Sequence, residues 1–172
     1  RFADSIKILK AFAAFEENGT LPNINYGDTA GNRDTTDAQL WFIRCVQELE
    51  EALCATGTGD DSEQMSLDFF GGDTCSDKHL ARLRATCERI VDAYVKGTPN
   101  GIKVDPDSGL VWSPSHFTWM DTNYPACTPR DGYPVEIQAL WISALRYLGR
   151  NEAAELAKVS LVKYFKVPAP GV

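Results

Sequence analysis

"VEIQALWISALRYL", residues 135–148, is apolar on nearly every side of a helical wheel. A helix without a polar face has to be surrounded by protein. Pro134 suits the turn that enters it, and Gly149 suits the left-handed cap that ends it. Upstream, Asp37 to Ala55 opens with "DAQLWFIRCV", again nearly all apolar in its first half, with Thr35 or Thr36 as the candidate cap. The other helical patterns are one-sided. Asp77 to Lys96 spaces Leu80, Leu83, Cys87, Ile90, Val91 and Tyr94 in threes and fours, between Ser76 as a cap and Gly97 as a stop. Ala3 to Glu17 carries Phe2, Ile6, Leu9, Phe12 and Ala13 as its stripe and stops at Asn18-Gly19. Asn151 to Lys166, capped by Asn151 and ended by Pro168 and Pro170, carries Leu156, Val159 or Ser160, Val162 and Phe165.

Striped and buried helices therefore alternate along the chain as outer, inner, outer, inner, outer. The alternation predicts an all-α protein, a double-layered toroid whose inner helices face a central axis. A compact bundle would give every helix one wet face. The segments leading into the two inner helices, roughly 18–36 and 97–133, are long, and loops of that length usually carry function. Both are expected at the same end of the toroid. The second holds a short β-hairpin near 102–112, with Ile102 to Val104 and Leu110 to Trp112 flanking the turn "DPDSG". Thr56 to Thr74 is rich in Gly, Asp and Ser and reads as a solvent loop. Residues 1–172 are read as one domain-sized segment.

Apolar residues make up 44% and charged residues 24%, which fits a globular chain with a substantial core. A net charge of -7 argues against nucleic acid and anionic membrane surfaces, both of which select for clustered Lys and Arg. It is compatible with a neutral ligand. No apolar run is long enough to span a membrane, and no leader pattern opens the chain. The five cysteines, Cys45, Cys54, Cys75, Cys87 and Cys127, are odd in number and lack C-x-x-C spacing. Reduced thiols, and with them a cytoplasmic location, are the expectation.

Most chemical motifs are absent. His79 and His116 have no companions at ligand spacing, so no metal is expected. "DPDSG" begins like a calcium loop, but its Gly comes one place early and His116 stands where the closing Glu belongs, so a plain turn is expected. There is no glycine-rich phosphate cradle and no G-x-S-x-G elbow, so no cofactor is expected. Cys127 lacks an evident His partner and reads as an ordinary thiol.

What remains is a set of carboxylates and aromatics on the entry loops and first turns of the inner helices: Asp37, Trp41, Trp112, Trp119, Asp121, Arg130, Glu136 and Trp141. Sugar rings rest their C–H faces on aromatics and fix their hydroxyls on charged acceptors. Glycosidic cleavage needs one protonated and one ionised carboxyl group, and Asp121, beside Trp119 and Met120, is the candidate for the protonated one. Each residue alone has an ordinary explanation. Asp37 and Glu136 suit the first turn of a helix by the dipole alone, and Arg130 can pair with either. The whole set together points to a sugar pocket.

"TWMD" (118–121) followed by "TPRDGYPVEIQALW" (128–141) resembles the amylo-α-1,6-glucosidase region of glycogen debranching enzymes. "GTLPN" (19–23) and "TTDAQLWFI" (35–43) resemble further segments of that family in the same order, although an apolar residue is commoner after the position of Gly19. "DTNYPACTPR" (121–130) falls on a variable link. The resemblance covers nearly the whole chain. It implies an (α/α)6 toroid, and an inverting, metal-free hydrolysis of α-1,6-glucosidic branch points in glycogen or limit dextrin. It also implies Asp121 as general acid, with Asp37, Trp41, Arg130 and Glu136 lining the sugar pocket. Trp112 and Trp119 join them as stacking platforms.

Six helix pairs make twelve helices, whereas five are legible here, and the chain starts at Arg1 rather than Met. The expectation is a partial toroid, about half of the barrel, from a longer glucosidase. In the family the general base follows the "VEIQALW" helix, where this chain offers only Glu152 and Glu155 on an outer helix, so the isolated chain is expected to be inactive. A half toroid would expose the axial sides of its inner helices, favouring a homodimer or association with the remainder of the barrel. Two other readings stay open. One is a non-catalytic carbohydrate-binding module that stacks sugars on Trp41, Trp112, Trp119 and Trp141. The other is a helical protein-interaction scaffold in which the aromatics are core and the carboxylates are caps.

Overall fold

The computed structural model describes residues 2–56, 73–119 and 129–166. Five helices and two short hairpins follow in order among them: α1 (Phe2–Ala13), β1 (Asn25–Tyr26), β2 (Thr29–Ala30), α2 (Asp37–Thr56), α3 (Asp73–Lys96), β3 (Lys103–Val104), β4 (Val111–Trp112), α4 (Val135–Tyr147) and α5 (Asn151–Phe165). The two helices expected to be inner, α2 and α4, pack side by side, with α1 and α3 against α2 and α5 against α4. This mainly helical arrangement fits a partial α/α toroid. Among the described residues no helix is long and apolar enough to cross a membrane.

The core runs between the helices, and α4 supplies much of it. Ile137, Gln138, Trp141, Ala144 and Leu145 are buried. Trp141 stacks on Tyr94 of α3 with ring centroids 5.8 Å apart, and its indole N–H donates to the Gly109 carbonyl at 3.0 Å. Trp141 is thus a core residue and not a sugar platform, because its whole ring is enclosed by α3, α4 and the hairpin turn. Gln138 is buried with its amide fully used. Its Oε1 accepts from Val111 N–H at 2.8 Å, and its Nε2 donates to the Val111 carbonyl at 2.9 Å. That pair sews β4 to α4 and gives a buried strand the partner it lacks on that side.

The β3–β4 hairpin lies where the sequence places it, antiparallel with Lys103 opposite Trp112 and Val104 opposite Val111. Its "DPDSG" turn is an Asx turn, with Asp105 Oδ1 accepting from the backbone of Asp107 at 2.8 Å and Ser108 at 3.2 Å. The β1–β2 hairpin, by contrast, sits in the 18–36 entry loop, where no strand was expected.

The ends of α2 and α4 follow the sequence signals. Thr35 Oγ1 accepts from Ala38 N–H at the start of α2. At the end of α4, Gly149 N–H donates to Arg146 O and Arg150 N–H to Leu145 O, a Schellman pattern that needs the positive φ of Gly149. Three details differ from expectation. Helix α3 begins at Asp73, one turn before Asp77. Asn151 makes no side-chain cap; Arg150 holds the cap position and instead reaches Glu88 at 2.6 Å and Asp92 at 2.7 Å on α3. Helix α5 is also rotated from its expected pose. It buries Ala154, Ala157 and Ser160 and leaves Leu156, Val159 and Val162 exposed. The small face lets α5 approach α4 closely, and the large apolar residues stay outside.

Two groups of uncovered apolar side chains stand out among the described residues. One is that face of α5. The other is the α1–α2 edge, where Ile8, Phe12 and Trp41 are exposed. Helices α2 and α4 pack against each other, while Trp41 on α2 and Val135 on α4 stay exposed.

Candidate functional site

The two long entry segments meet at Thr36. Its backbone N–H donates to Phe117 O at 2.6 Å, its hydroxyl pairs with Ser113 Oγ at 2.8 Å, and its carbonyl accepts from Tyr94 Oη at 2.8 Å. This knot brings the first turn of α2 beside the segment that runs into Trp119. A Ser113–Gly132 bridge and a His116 N–H to Pro129 O bond at 2.8 Å then bring in the segment that leads to α4. The ends of both inner helices share one rim, as the sequence reading expected.

On that rim Arg130 is central. Its Nη2 lies 2.7 Å from Glu136 Oε2 and 2.5 Å from Oε1, so one nitrogen spans both carboxylate oxygens. Its Nη1 reaches Thr118 Oγ1 at 3.4 Å. Its Cζ stands 6.0 Å from the centre of the Trp119 ring, which is 69% exposed. Arg130 adopts φ +58° and His116 φ +65°, left-handed backbone that non-glycine residues rarely take. Strain of that kind, worth about 1–3 kcal/mol per residue, concentrates at functional sites.

Asp37 sits on the same rim, at the start of α2. It accepts from Thr35 Oγ1 at 2.7 Å, and its charge adds to burial in pushing the Tyr94 phenol well above its usual range. The chain of neighbours is continuous: Asp37 follows Thr36, Thr36 binds Phe117, and Phe117 precedes Thr118, which meets Arg130 and through it Glu136. Asp121, the expected general acid, follows Trp119 by two residues and lies outside the described residues, as does Cys127.

The chain matches the family described as amylo-alpha-1,6-glucosidase over residues 1–167. It belongs to that family. Membership spans all three described stretches, so Asp37, Thr118, Trp119, Arg130 and Glu136 are the rim of an amylo-alpha-1,6-glucosidase family chain.

The remaining expected site residues line other surfaces, Trp41 one helical turn along α2 from Asp37. Trp41 is 54% exposed and lines an apolar groove of about 230 Å³ with Ile8, Phe12, Leu21 and Pro22. Trp112 lies on the outer side of the β3–β4 hairpin, edge-on to Tyr133 with centroids 5.4 Å apart. Glu155, on α5, pairs with Arg146 at 3.0 Å and Lys158 at 3.1 Å on the surface. Among the described residues no group of three His, Cys, Asp or Glu side chains could hold a metal ion. Thr118, Asp105 and Tyr133 escaped the sequence reading. Tyr133 had a usable signal, an aromatic directly before the Pro that opens α4.

Proposed function

We propose that this chain contributes the acid side of a glucosidase that hydrolyses α-1,6-glucosidic branch points in a glycogen-like glucan. The observation that carries the reading is the rim itself, an exposed Trp119 face above a guanidinium already fixed on Glu136 and Thr118. An aromatic face for sugar C–H groups beside charged donors and acceptors for hydroxyls suits a neutral sugar ring. Asp121 is assigned as general acid. Arg130 and Glu136 hold the glucosyl unit at the cleaved bond, and Asp37 borders it. Inversion needs a second carboxylate roughly 6.5–9.5 Å from the acid, across a water. Glu136 is committed to Arg130, and Glu155 to surface cations, so neither is assigned as base. The 172-residue chain alone is therefore read as binding branched glucan without turning it over.

Calorimetric titration of the chain with a branched maltooligosaccharide tests the binding half of this reading, and absence of binding overturns it. In an enzyme carrying these residues in a complete barrel, Asp121→Asn is expected to abolish turnover while glucan binding persists; retained turnover removes Asp121 from its role.

We further propose that the chain alone associates with a second copy through its exposed apolar residues, Ile8, Phe12 and Trp41 on one edge and Leu156, Val159 and Val162 on α5. Light scattering that shows a monomer at high protein concentration overturns this.

A further inference from the structure

The outer side of the β3–β4 hairpin carries a second concave surface, away from the Arg130 rim. Along this segment Val111 and Ser113 are buried, so Trp112 between them faces the opposite way. There it lines a cleft of about 500 Å³ with Tyr133, Lys103, Asp105 and Asp107. Tyr133 and Asp105 continue into an adjoining cleft of about 340 Å³, whose far wall is Tyr164 and Phe165 at the end of α5. None of Asp37, Trp41, Trp119, Arg130 or Glu136 lines either cleft.

We propose that this surface is a second glucan-binding site, separate from the rim, which takes a linear run of glucose units. The proposal rests on the glucosidase reading for its ligand class and on the hairpin geometry for its place. Aromatic rings from three elements, β4 (Trp112), the segment before α4 (Tyr133) and α5 (Tyr164), line one continuous pair of clefts. Such a row suits successive sugar rings of an extended chain. The Trp112–Tyr133 part of this row is set before any ligand arrives. Tyr133 Oη donates to Asp105 Oδ2 at 3.0 Å, and Asp105 Oδ1 is held by the Asp107 and Ser108 amides. A site already in its binding geometry loses less freedom on binding. The charges at the edge are Lys103 against Asp105 and Asp107, which disfavours an anionic ligand and leaves carboxylate acceptors for the hydroxyls of a neutral one. Each cleft falls in the range of about 300–1,000 Å³ usual for small-ligand sites. A polymer held here and at the rim at once gains by effective concentration, without any further contact.

The test is titration of the 172-residue chain with linear maltoheptaose, read by NMR shifts for affinity and stoichiometry. Two equivalents are expected to bind. Trp112→Ala removes one and Arg130→Ala removes the other, and Asp107→Ala weakens the hairpin equivalent by about threefold, the loss of one exposed hydrogen-bond partner. Because Asp107 is exposed, that variant decides the matter if Trp112→Ala does not fold. A single equivalent that Arg130→Ala abolishes and Trp112→Ala and Asp107→Ala leave intact overturns the hairpin site and keeps the rim. A single equivalent lost with Trp112→Ala or weakened by Asp107→Ala keeps the hairpin site and restricts the rim to branched glucan. No binding of linear maltoheptaose by the unmodified chain overturns the hairpin site.

Discussion

Gly19 lies against Ala93 of α3 so closely that a Cβ built on it would stand 2.1 Å from the Ala93 Cβ. Gly19 also sits at φ +77°, and its N–H donates to Glu16 Oε1 at 2.9 Å. Glu16 in turn takes Arg89 of α3 at 2.6 Å. The turn after α1 is thus pressed onto α3 at the one residue that has no side chain. Gly19→Ala combines overpacking, about 1–3 kcal/mol, with a left-handed penalty of about 1–2 kcal/mol. A fall in Tm of several degrees is expected, at about 2–4 °C per kcal/mol for a chain of this size. Thermal melting that leaves Tm unchanged would show that the turn relaxes away from α3 at no cost.

Two buried glutamines, one on each inner helix, should respond in opposite directions. Gln138 satisfies both polar groups of Val111 and also donates to the Pro134 carbonyl at 3.1 Å. Gln138→Met strands the buried Val111 amide and carbonyl, so a loss of about 2–6 kcal/mol is expected, at about 1–3 kcal/mol per orphaned group. Gln39 on α2 is equally buried, yet neither its Nε2 nor its Oε1 has a hydrogen-bond partner among the described residues. Gln39→Met removes two unsatisfied atoms at similar volume and should hold or raise Tm. Denaturant melts of the two variants side by side check this; a large loss in Gln39→Met would reveal a bound water or ligand at that amide.

The same pair shows where sequence reading stops. "DAQLW" and "EIQALW" look alike, each with an acid, a glutamine two places on, and a tryptophan. Burial of both helices was legible from their missing polar faces, and so were the hairpin, the Thr35 cap and the Gly149 stop. The fates of Trp41 and Trp141 were not. One is exposed and the other enclosed, because Trp141 faces Tyr94 and the hairpin turn while Trp41 faces the open α1–α2 edge. Helix α5 has apolar residues on two faces, and periodicity alone favours the larger ones. The closeness of α4 selects Ala154 and Ala157 instead. Arg130 and Glu136 were both singled out, but their contact depends on a left-handed φ at Arg130 that no local pattern announces.

Stability should fall at alkaline pH. Burial, chiefly, pushes the Cys87 thiol up from 9.0 to about 12, with Glu50 adding to the shift. Burial likewise raises the Tyr94 and Tyr147 phenols. The neutral forms are the ones the fold favours. Above the unfolded thiol value the unfolded chain releases a proton that the folded chain still holds, so stability declines from about pH 9 toward pH 12. A shift of this kind is worth on the order of a few kcal/mol at the upper end of the window. Melting temperatures measured from pH 8 to 11 should drop, and Cys87→Ala should show a shallower drop from a lower start. An identical slope in that variant would assign the whole effect to the tyrosines.

Arg130 holds three partners that a lysine could not hold together. One guanidinium nitrogen spans both Glu136 oxygens, a second reaches Thr118, and the planar head lies near the Trp119 ring. An ammonium is a point donor on a flexible stem, so Arg130→Lys keeps the charge but gives up either Thr118 or the placement beside Trp119. The pair is partly exposed, at 22% and 30%, so its stability contribution is modest and Tm should change little. Sugar affinity should change more, because the rim would no longer be set before the ligand arrives. A loss of about tenfold in branched-maltooligosaccharide affinity is expected, equal to about 1.4 kcal/mol. Trp119 is the most exposed of the described tryptophans, and displacement of the planar guanidinium beside it should also alter its fluorescence. Unchanged affinity with altered fluorescence would make Arg130 a purely structural clamp on Glu136. Lost affinity with an intact melt would make it part of the sugar site.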